Sequence, residues 1–492
     1  MTATDTERTT RQQYGFFGHP WGLSNLFATE FWERFSYFGM RAILAYYMYY
    51  QVSSGGLGLS RELATALVSV YGAMLYMTSP IGAWLADRVF GAQRAVAIGA
   101  LVIMCGHIVL SLPGGGVGTL YAGLMLIILG TGLLKPNVSR LVGNLYGEKD
   151  TRRDGGFLIF WMSVHLGAFL APLVVGGLRS AGGFHLGFAA AAVGMAIGVV
   201  WYTVSRRLLA GTGKAPANPI TPEERGRIGR AILLGFLVLL AYFVITGLCG
   251  VLSVDLVIYT ISAVGIVLPI VYFWVILRSK KVTELERSRV WALIPMFLAS
   301  IFFAMINDQK PSIGAVYAAS RIDRNVFGIS VNPEFFQTVE PITVLILAPI
   351  FAWMWTRLGT RQISTPTKIG LGVIIGGISF LMLIIPAGQS GLVSPWWLIG
   401  SFAVSVVGQL LAQPVGNAVS TRLAPVAFSS QMVGLWLLSN AAADGINGVV
   451  TPLYSVATET PYFLIIAGAA VLAGIGLLLM RRWVRVRMRE NE

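Results

Sequence analysis

The sequence predicts an all-α membrane protein whose chain crosses the bilayer fourteen times. Of its 492 residues, 55% are hydrophobic and only 12% are charged, whereas a soluble domain carries about 25% charged residues. An apolar stretch of roughly 18 residues or more is long enough to cross the hydrocarbon core as a helix. The chain contains fourteen such stretches, near residues 26–50, 63–86, 95–112, 118–138, 156–178, 186–204, 229–251, 255–277, 290–308, 336–356, 369–387, 395–417, 431–452 and 462–480.

The distribution of basic residues supports this count and sets the orientation. If the N-terminus is cytoplasmic, only four of the 36 Lys and Arg residues fall in outer loops, namely Arg61, Arg179, Arg321 and Arg324. Four more lie within the spans, and all the others fall on the cytoplasmic side, as the positive-inside rule requires. The four within the spans are Arg34, Arg41, Lys135 and Lys310. The sequence therefore predicts a multi-pass protein of the cell membrane with both termini in the cytoplasm. The net charge of +14 then faces anionic lipids, which argues against a nucleic-acid partner.

Two charged linkers divide the chain and enclose two almost purely apolar spans. Helices without inward polar residues have no reason to line a pathway, so these spans are predicted to form an inserted hairpin beside twelve core helices. The predicted order is a disordered N-terminal tail (1–20), an N-terminal six-helix bundle (21–204), a cytoplasmic linker (205–228), the hairpin (229–277), a second cytoplasmic linker (278–289), a C-terminal six-helix bundle (290–480) and a basic cytoplasmic tail (481–492).

The two six-helix halves resemble the layout of the major facilitator transporters, in which the substrate site lies between the halves near the midplane. The chain has no Walker A sequence, so transport would draw on an ion gradient rather than on ATP, or would be passive. Cys105 and Cys249 lie within spans without metal or redox spacing, and the four His residues form no cluster. No nucleophile–base pair points to catalysis. We therefore expect a transporter rather than an enzyme, with no cofactor or metal.

The first span carries four charged residues, although each charge at the bilayer centre costs about 2.5–3.5 kcal/mol. Four polar residues share one helical face, at positions i, i+4, i+7 and i+11: Glu30, Arg34, Tyr37 and Arg41. Snorkelling at the membrane surface would suit Glu30 alone, because Arg34 and Arg41 lie one and three turns deeper. This face is therefore predicted to meet water or partner charges inside the bundle.

Depth along the helices predicts two sets of partners for these charges. Glu30 and Glu33 lie in the inner half of the first span, at the depth of Lys135 in the fourth span. Arg41 lies in the outer half, at the depth expected for Asp308 near the outer end of the ninth span. An ion pair between Arg41 and Asp308 would join the two halves on one side of a cavity, as an outer gate requires.

Four segments of the chain carry the motifs of one transporter family. They are EFWERFSYF (30–38), GAWLADRVFGAQRAVAIG (82–99), FLIFWMSVHLGAFLAPLVVG (157–176) and STRLAPVAFSSQMVGLWLLSN (420–440). Together they resemble the first-helix motif, the two signatures and the helix-ten-to-eleven region of the proton-dependent oligopeptide transporter (POT) family, within the major facilitator superfamily. The resemblance covers about residues 20–480, and the inserted hairpin also fits bacterial members.

The resemblance implies roles for individual residues. The positions that match its proton-coupling group are Glu30, Glu33, Arg34 and Lys135, and those that match its peptide pocket are Tyr37, Arg41, Tyr76 and Trp436. Three further pocket positions depart from the family pattern. His165 and Glu340 stand where asparagine is usual, and Gln409 stands where a glutamate pairs with the peptide amino terminus. Glu340 is then the nearest candidate for an amine-binding carboxylate, with Asp444 as the fallback.

We predict a proton-coupled symporter that imports small peptides or peptide-like compounds by alternating access. Its partners would be the peptide or peptide-like molecule, protons and the bilayer, and we expect it to work as a monomer. A relative with this altered pocket could instead carry or export a non-peptide solute, which a substrate panel with and without a pH gradient would reveal. A membrane receptor would bind its ligand without flux into liposomes. Ion pairs at two depths are typical of a carrier that opens alternately to the two sides of the membrane, and they disfavour a channel.

Overall fold

The computed structural model describes residues 15–146, 150, 152–209, 211–216, 218–326, 328–389 and 391–488. Helices account for most of these residues. Two short antiparallel strands, β1 (Asn325–Val326) and β2 (Ile329–Ser330), form a small hairpin between two of the helices. Gly328 in its turn has a φ of 83°, a conformation that glycine adopts without steric cost.

The first six long helices extend from residue 22 to residue 205. They are α1 (Gly22–Tyr49), α2 (Arg61–Leu85), α3 (Ala92–Ser111), α4 (Gly116–Asn144), and the two arms α5 (153–181) and α6 (184–205) of one broken helix, Arg153–Ser205. The hydroxyl of Ser60 caps α2 by accepting a hydrogen bond from the backbone nitrogen of Leu63 at 3.1 Å. The break between α5 and α6 lies at Gly182 and Gly183, where Gly183 has a φ of 84°.

Two apolar helices follow, α7 (Pro222–Leu248) and α8 (Val254–Arg278). Thr221 and Glu224 form a capping box at the start of α7, with Pro222 in the first turn. The oxygen of Ser253 caps α8 by accepting from the backbone nitrogen of Leu256 at 3.1 Å. None of the described side chains of α7 is buried, whereas α8 buries one face. This asymmetry is typical of a hairpin at the edge of a bundle.

The remaining helices complete the bundle. They are α9 (Glu284–Asp308), α10 (Ala315–Ser320), α11 (Val339–Leu358), α12 (Thr365–Leu381), α13 (Ile384–Ala387), α14 (Pro395–Arg422), α15 (Ser429–Val450), α16 (Glu459–Leu479) and α17 (Arg481–Met488). A π turn, Lys310–Gly314, joins α9 to α10, and a 3-10 helix, Pro333–Thr338, leads into α11.

The fourteen predicted crossings are confirmed. Eleven stretches of described helix are long and apolar enough to cross a membrane, and one of them, residues 155–209, contains both α5 and α6. The other two crossings are α1 and α15, which run beside these helices but carry more polar residues. An even number of crossings puts both ends of the chain at one face of the bundle, which we call the termini face.

The ninth crossing is longer than predicted. Its helix was expected to end near residue 308, but it continues through the π turn and α10 to Ser320. Pro311 does not end the helix, because the wider π turn accommodates its ring and its missing N–H. Asp308 and Lys310 therefore lie about two-thirds of the way along the extended helix, 12 and 10 residues before Ser320, in the half away from the termini face but not at the end of the crossing.

Several predicted boundaries also shift, because polar segments take up ordered structure. Within the tail predicted to be disordered, residues 15–20 are described, and His19 Nδ1 hydrogen bonds the hydroxyl of Tyr146 at 2.9 Å; residues 1–14 lie outside the described residues. Helices α7 and α9 begin inside the predicted linkers, at Pro222 and Glu284. Within the predicted basic tail, residues 481–488 form α17, which contacts the start of α9 where Ser288 Oγ donates to the carbonyl of Arg487 at 3.2 Å; residues 489–492 lie outside the described residues.

The hairpin packs on the outside of the bundle, against α2 and α15. A Cβ atom on Gly265 of α8 would lie 2.8 Å from the carbonyl oxygen of Ala441, and one on Gly445 of α15 would lie 2.9 Å from that of Ser262. These glycines therefore allow the backbones of α8 and α15 to approach closely. None of the described residues of α7 or α8 lines the central cavity.

Small residues also bring α3 and α4 into direct backbone contact. A Cβ atom on Gly99 would lie 2.7 Å from the carbonyl oxygen of Gly130 and 2.9 Å from the backbone nitrogen of Leu134. Both atoms belong to the backbone, so the helices would have to separate to admit a methyl group. In a membrane, such close van der Waals packing is a main source of helix association, because lipid tails are as apolar as the side chains.

We therefore expect Gly99→Ala to destabilise the detergent-solubilised protein by about 1–3 kcal/mol, the usual cost of overpacking. The measurement is the apparent unfolding temperature, followed by intrinsic tryptophan fluorescence. Gly118→Ala in α4 is the matched control, because a Cβ atom there meets nothing within 4 Å. Equal shifts for the two variants would contradict the close approach of α3 and α4.

Candidate functional site

A cavity of about 410 Å³ lies between the first six and the last six crossings. Its volume falls within the range of about 300–1,000 Å³ that small-molecule sites occupy. Helices α1, α2, α4 and α5 contribute one wall, and α9, the π turn, α11 and α14 contribute the other. A second cavity of about 170 Å³ shares Tyr76 and Lys135 with the first and extends towards α15. The predicted site residues on the wall of the larger cavity are Glu30, Arg34, Tyr37, Arg41, Tyr76, Lys135, His165, Asp308, Glu340 and Gln409.

The larger cavity extends towards the termini face. It reaches Ser139 and Asn417, which lie near the ends of α4 and α14 at that face. At the opposite face the two groups of helices are joined. The hydroxyl of Tyr46 donates to the carbonyl of Ala315 at 3.0 Å, close to the ends of α1 and α10. The structure is therefore closed at the face opposite to the termini.

The charged face of α1 forms a compact cluster at the cavity. Arg34 Nε lies 2.7 Å from Glu30 Oε1 and 3.0 Å from Glu33 Oε2, and all three side chains are buried. Two carboxylates thus share one guanidinium. Lys135 Nζ lies 4.9 Å from the ring centroid of Tyr76, and among the described residues no carboxylate oxygen lies within 4 Å of it. Either a proton or the Lys135 ammonium can balance the second carboxylate, because an unpaired charge in this environment is costly.

Arg41 is only partly hydrogen bonded. Its Nη1 donates to the hydroxyl of Tyr37 at 3.0 Å, whereas its buried Nε and Nη2 have no hydrogen-bond partner among the described residues. No ion pair within 4 Å joins Arg41 to Asp308 in the part of the chain that the structure describes. The two residues line the same cavity, but their pairing as an outer gate stays a prediction.

An unpredicted ion pair lies on the opposite wall. Lys310 Nζ lies 2.9 Å from Glu340 Oε2 and donates to Asn307 Oδ1 at 2.9 Å. The signal in the sequence was the presence of Lys310 as one of four basic residues inside the spans. The pair was missed because depth matching was applied only to the charges of the first span, and Glu340 was assigned to the amine of the cargo.

The other pocket candidates occupy distinct positions. The ring of His165 packs edge-on against Trp161 with centroids 4.2 Å apart, and its Nε2 has no described hydrogen-bond partner. Gln409 Nε2 donates to Gln413 Oε1 at 3.1 Å, and Gln409 Oε1 is unpartnered among the described residues. Trp436 lines only the smaller cavity.

Two predicted carboxylates lie behind the cavity walls. Glu33 is buried and lines neither cavity, although it contacts Arg34. Asp444 is fully buried, lines neither cavity, and faces Gly72 of α2. A Cβ atom on Gly72 would lie 2.9 Å from the carboxylate carbon of Asp444, so the absence of a side chain there makes room for the acid. Asp444 is therefore not placed to contact cargo directly in this conformation.

The ion pair that joins the two groups of helices was not predicted either. Arg179 Nη2 in α5 lies 2.7 Å from Glu334 Oε1 in the 3-10 helix before α11, and the Glu334 side chain is fully buried. Arg179 was predicted to lie in an outer loop, and no pattern in the sequence marked Glu334 as its partner. Only the fold brings these residues together, at the closed face of the bundle. Among the described residues no group of three or more His, Cys, Asp or Glu side chains is placed to hold a metal ion.

Known proteins are similar to this chain over nearly its whole length. Residues 93–470 match the POT family. The chain is 45% identical to the uncharacterized transporter YclF of Bacillus subtilis, over 99% of each chain. It is 42% identical to a di-/tripeptide transporter of Lactococcus lactis subsp. cremoris, over 95% of this chain and 96% of that one. A crystal structure of a peptide transporter POT in complex with sulfate has a TM-score of 0.94 and 49% identity, over 99% of each chain.

We expect Glu334→Gln to open the face opposite to the termini, because removing one partner of a buried ion pair costs about 3–5 kcal/mol. Spin labels at Ser53→Cys and Ser330→Cys, on exposed loops of that face, would report the separation by electron–electron double resonance, with Cys105 and Cys249 replaced. The variant should gain a population at longer distance. Glu62→Gln, which removes an exposed carboxylate at the same face, is the control. Unchanged distances for Glu334→Gln would exclude a gating role for Arg179 and Glu334.

Proposed function

The chain belongs to the POT family, and we propose that it is a proton-coupled symporter that imports small peptides or peptide-like compounds by alternating access. One observation carries this proposal. Arg34 is held between two buried carboxylates, while the Lys135 ammonium faces the cavity with no carboxylate within 4 Å among the described residues. This cluster can exchange a proton for an ion pair, which is the chemistry that coupling requires.

The proton and the cargo would act through the same group of charges. A proton from the outer side neutralises Glu30 or Glu33, so Arg34 balances the remaining carboxylate and Lys135 is free to bind an anionic cargo. Arg41 lines the same cavity, and its Nε and Nη2 are buried without a partner among the described residues. With cargo and proton bound, the charges of the site are matched, and the desolvation that accompanies closure of the cavity becomes tolerable.

Release on the inner side resets the carrier. Once the cargo and the proton have left, Lys135 can pair with the freed carboxylate, so the empty site is again balanced and can return. One proton that moves through 100 mV contributes about 2.3 kcal/mol, and one pH unit contributes about 1.4 kcal/mol. Together they allow accumulation of roughly a few hundred-fold, which is sufficient for nutrient uptake.

Orientation and assembly complete the proposal. The excess of Lys and Arg in loops at the termini face supports a cytoplasmic location for both ends of the chain. The described cavity, which extends to that face, then corresponds to an inward-facing state in the plasma membrane. A complete cavity forms within one chain, which supports function as a monomer.

A second candidate is a carrier or exporter of a non-peptide solute. The neutral Gln409 and the engagement of Glu340 by Lys310 favour it, because both change the C-terminal wall of the cavity. A panel of dipeptides and other small acids, tested in proteoliposomes with the gradient in either direction, distinguishes the two. Uptake of dipeptides driven by an inward gradient supports the first candidate.

We expect Glu33→Gln and Lys135→Ala to abolish gradient-driven accumulation and to leave exchange of cargo across the membrane partly intact. Each variant removes one side of the proton-for-ion-pair exchange, whereas exchange needs only cargo binding and alternation. Uptake and counterflow of a labelled dipeptide in proteoliposomes measure the two activities.

Glu223→Gln is the control for this experiment, because Glu223 is exposed at the start of α7. It should retain both activities. Accumulation at the wild-type level in either Glu33→Gln or Lys135→Ala would overturn the assignment of the coupling group.

A further inference from the structure

The ammonium group of Lys310 is engaged by the protein itself. It lies 2.9 Å from Glu340 Oε2 and 2.9 Å from Asn307 Oδ1, and it lies 5.7 Å from the ring centroid of Phe402. A lysine ammonium has three N–H donors. A carboxylate and an amide oxygen accept two of them, the ring of Phe402 lies within cation–π range, and the Lys310 side chain is only 4% exposed.

This arrangement is an occupied ammonium site. A carboxylate, an amide oxygen and an aromatic ring are the groups that would bind a free ammonium ion in an apolar pocket. Lys310 occupies that place from within the chain, because the π turn directs residue 310 into the cavity wall. Glu340 is thus engaged before any cargo arrives.

Of the other carboxylates on the described cavity wall, Glu30 is engaged by a cation of the protein. Glu30 Oε1 lies 2.7 Å from Arg34 Nε. Asp308 is 7% exposed, and Asn307 Nδ2 donates to its Oδ1 at 3.4 Å, but no cation lies within 4 Å of it among the described residues. A cargo ammonium at Glu340 would have to displace Lys310, and an ammonium left without a partner in such a site is costly.

The incompletely paired side chains differ between the two walls of the cavity. On the α1 and α4 side they are cations: Lys135 has no carboxylate within 4 Å among the described residues, and the buried Nε and Nη2 of Arg41 have no described partner. On the α11 and α14 side they are neutral amides, since the buried Gln409 Oε1 and Gln337 Nε2 have no partner among the described residues. A cargo that complements this wall is anionic at one end and uncharged but hydrogen bonding at the other.

We propose that this transporter takes small carboxylates whose other end is an uncharged hydrogen-bonding group, such as N-hydroxyacyl or N-acyl amino acids, because Lys310 already occupies the ammonium site at Glu340. The proposal rests on the proposed function and specifies its substrate class. Lys310 and Glu340 are the residues that determine this specificity, and Gln409 and Gln337 contact the uncharged end.

The test compares two ligands that differ in one group. Alanyl-alanine carries an ammonium where lactoyl-alanine carries a hydroxyl. Half-saturating concentrations come from proton-coupled currents of proteoliposomes on a solid-supported membrane, and from ligand-induced thermal stabilisation of the purified protein without a gradient. For the wild type we expect lactoyl-alanine to bind as tightly as alanyl-alanine or more tightly. Tighter binding of alanyl-alanine would overturn the proposal.

Two variants change the preference in opposite directions. Lys310→Gln frees Glu340 for a cargo ammonium. The affinity for alanyl-alanine relative to that for lactoyl-alanine should then rise at least about tenfold, which is the change expected when a charge pair forms in such a site. Glu340→Gln leaves Lys310 without its anion and should shift the preference towards succinyl-alanine, which carries a second carboxylate at that end. Unchanged ratios in both variants would overturn the proposal even if one variant folds poorly.

Lys281→Gln, at an exposed position outside the cavity, is the matched control and should retain the wild-type ratios. The outcomes also separate this proposal from the proposed function. If none of the three ligands gives a current driven by the proton gradient, the transport function itself fails. Gradient-driven currents that favour alanyl-alanine would retain the transporter and reject only the substrate class.

Discussion

An ion that leaves water for an apolar interior loses several kcal/mol of solvation, which only a partner charge with good geometry restores. This constraint explains where the charges of the bundle lie. Arg321 near α10 is buried, and its Nε lies 3.1 Å from Glu459 Oε2 while its Nη2 donates to the carbonyl of Gln389 at 3.1 Å. Tyr454 completes the pair by donating to Glu459 at 3.0 Å. Every partner in this site comes from the protein, so the pair stabilises the fold.

The cavity charges differ because their hydrogen bonding is incomplete. Arg41 keeps two N–H groups without a described partner, and two carboxylates share the guanidinium of Arg34. An incomplete set of partners is stable only where a proton, a cargo molecule or a moving side chain supplies the missing one. The completeness of a charged group's hydrogen bonding within the protein therefore distinguishes charges that hold helices together from charges that take part in transport. By the same measure, Lys310 is already engaged by the protein although it lines the cavity, so it acts on the cargo by occupying Glu340 rather than by binding the cargo itself.

Local backbone features determine which side chains reach the cavity. The π turn at Lys310–Gly314 extends the ninth crossing and directs Lys310 towards Glu340. Glycines bring the backbones of α3 and α4 into close contact, and glycines do the same for α8 and α15. The helices on the two sides of the cavity are separated by the cavity instead. The inserted hairpin adds apolar surface at the edge of the bundle and contributes no described residue to the cavity.

The sequence alone determined the number of crossings, the membrane environment and the charged face of α1, because hydropathy, basic loops and helical spacing are local properties. Glu30, Arg34 and Tyr37 lie on one wall for that reason. The pairs Lys310–Glu340 and Arg179–Glu334 were decided only by the tertiary structure. Their partners are distant along the chain, and the depth of Lys310 depends on a π turn that no periodic pattern marks. Distance and orientation between helices arise from packing, which a linear pattern does not contain.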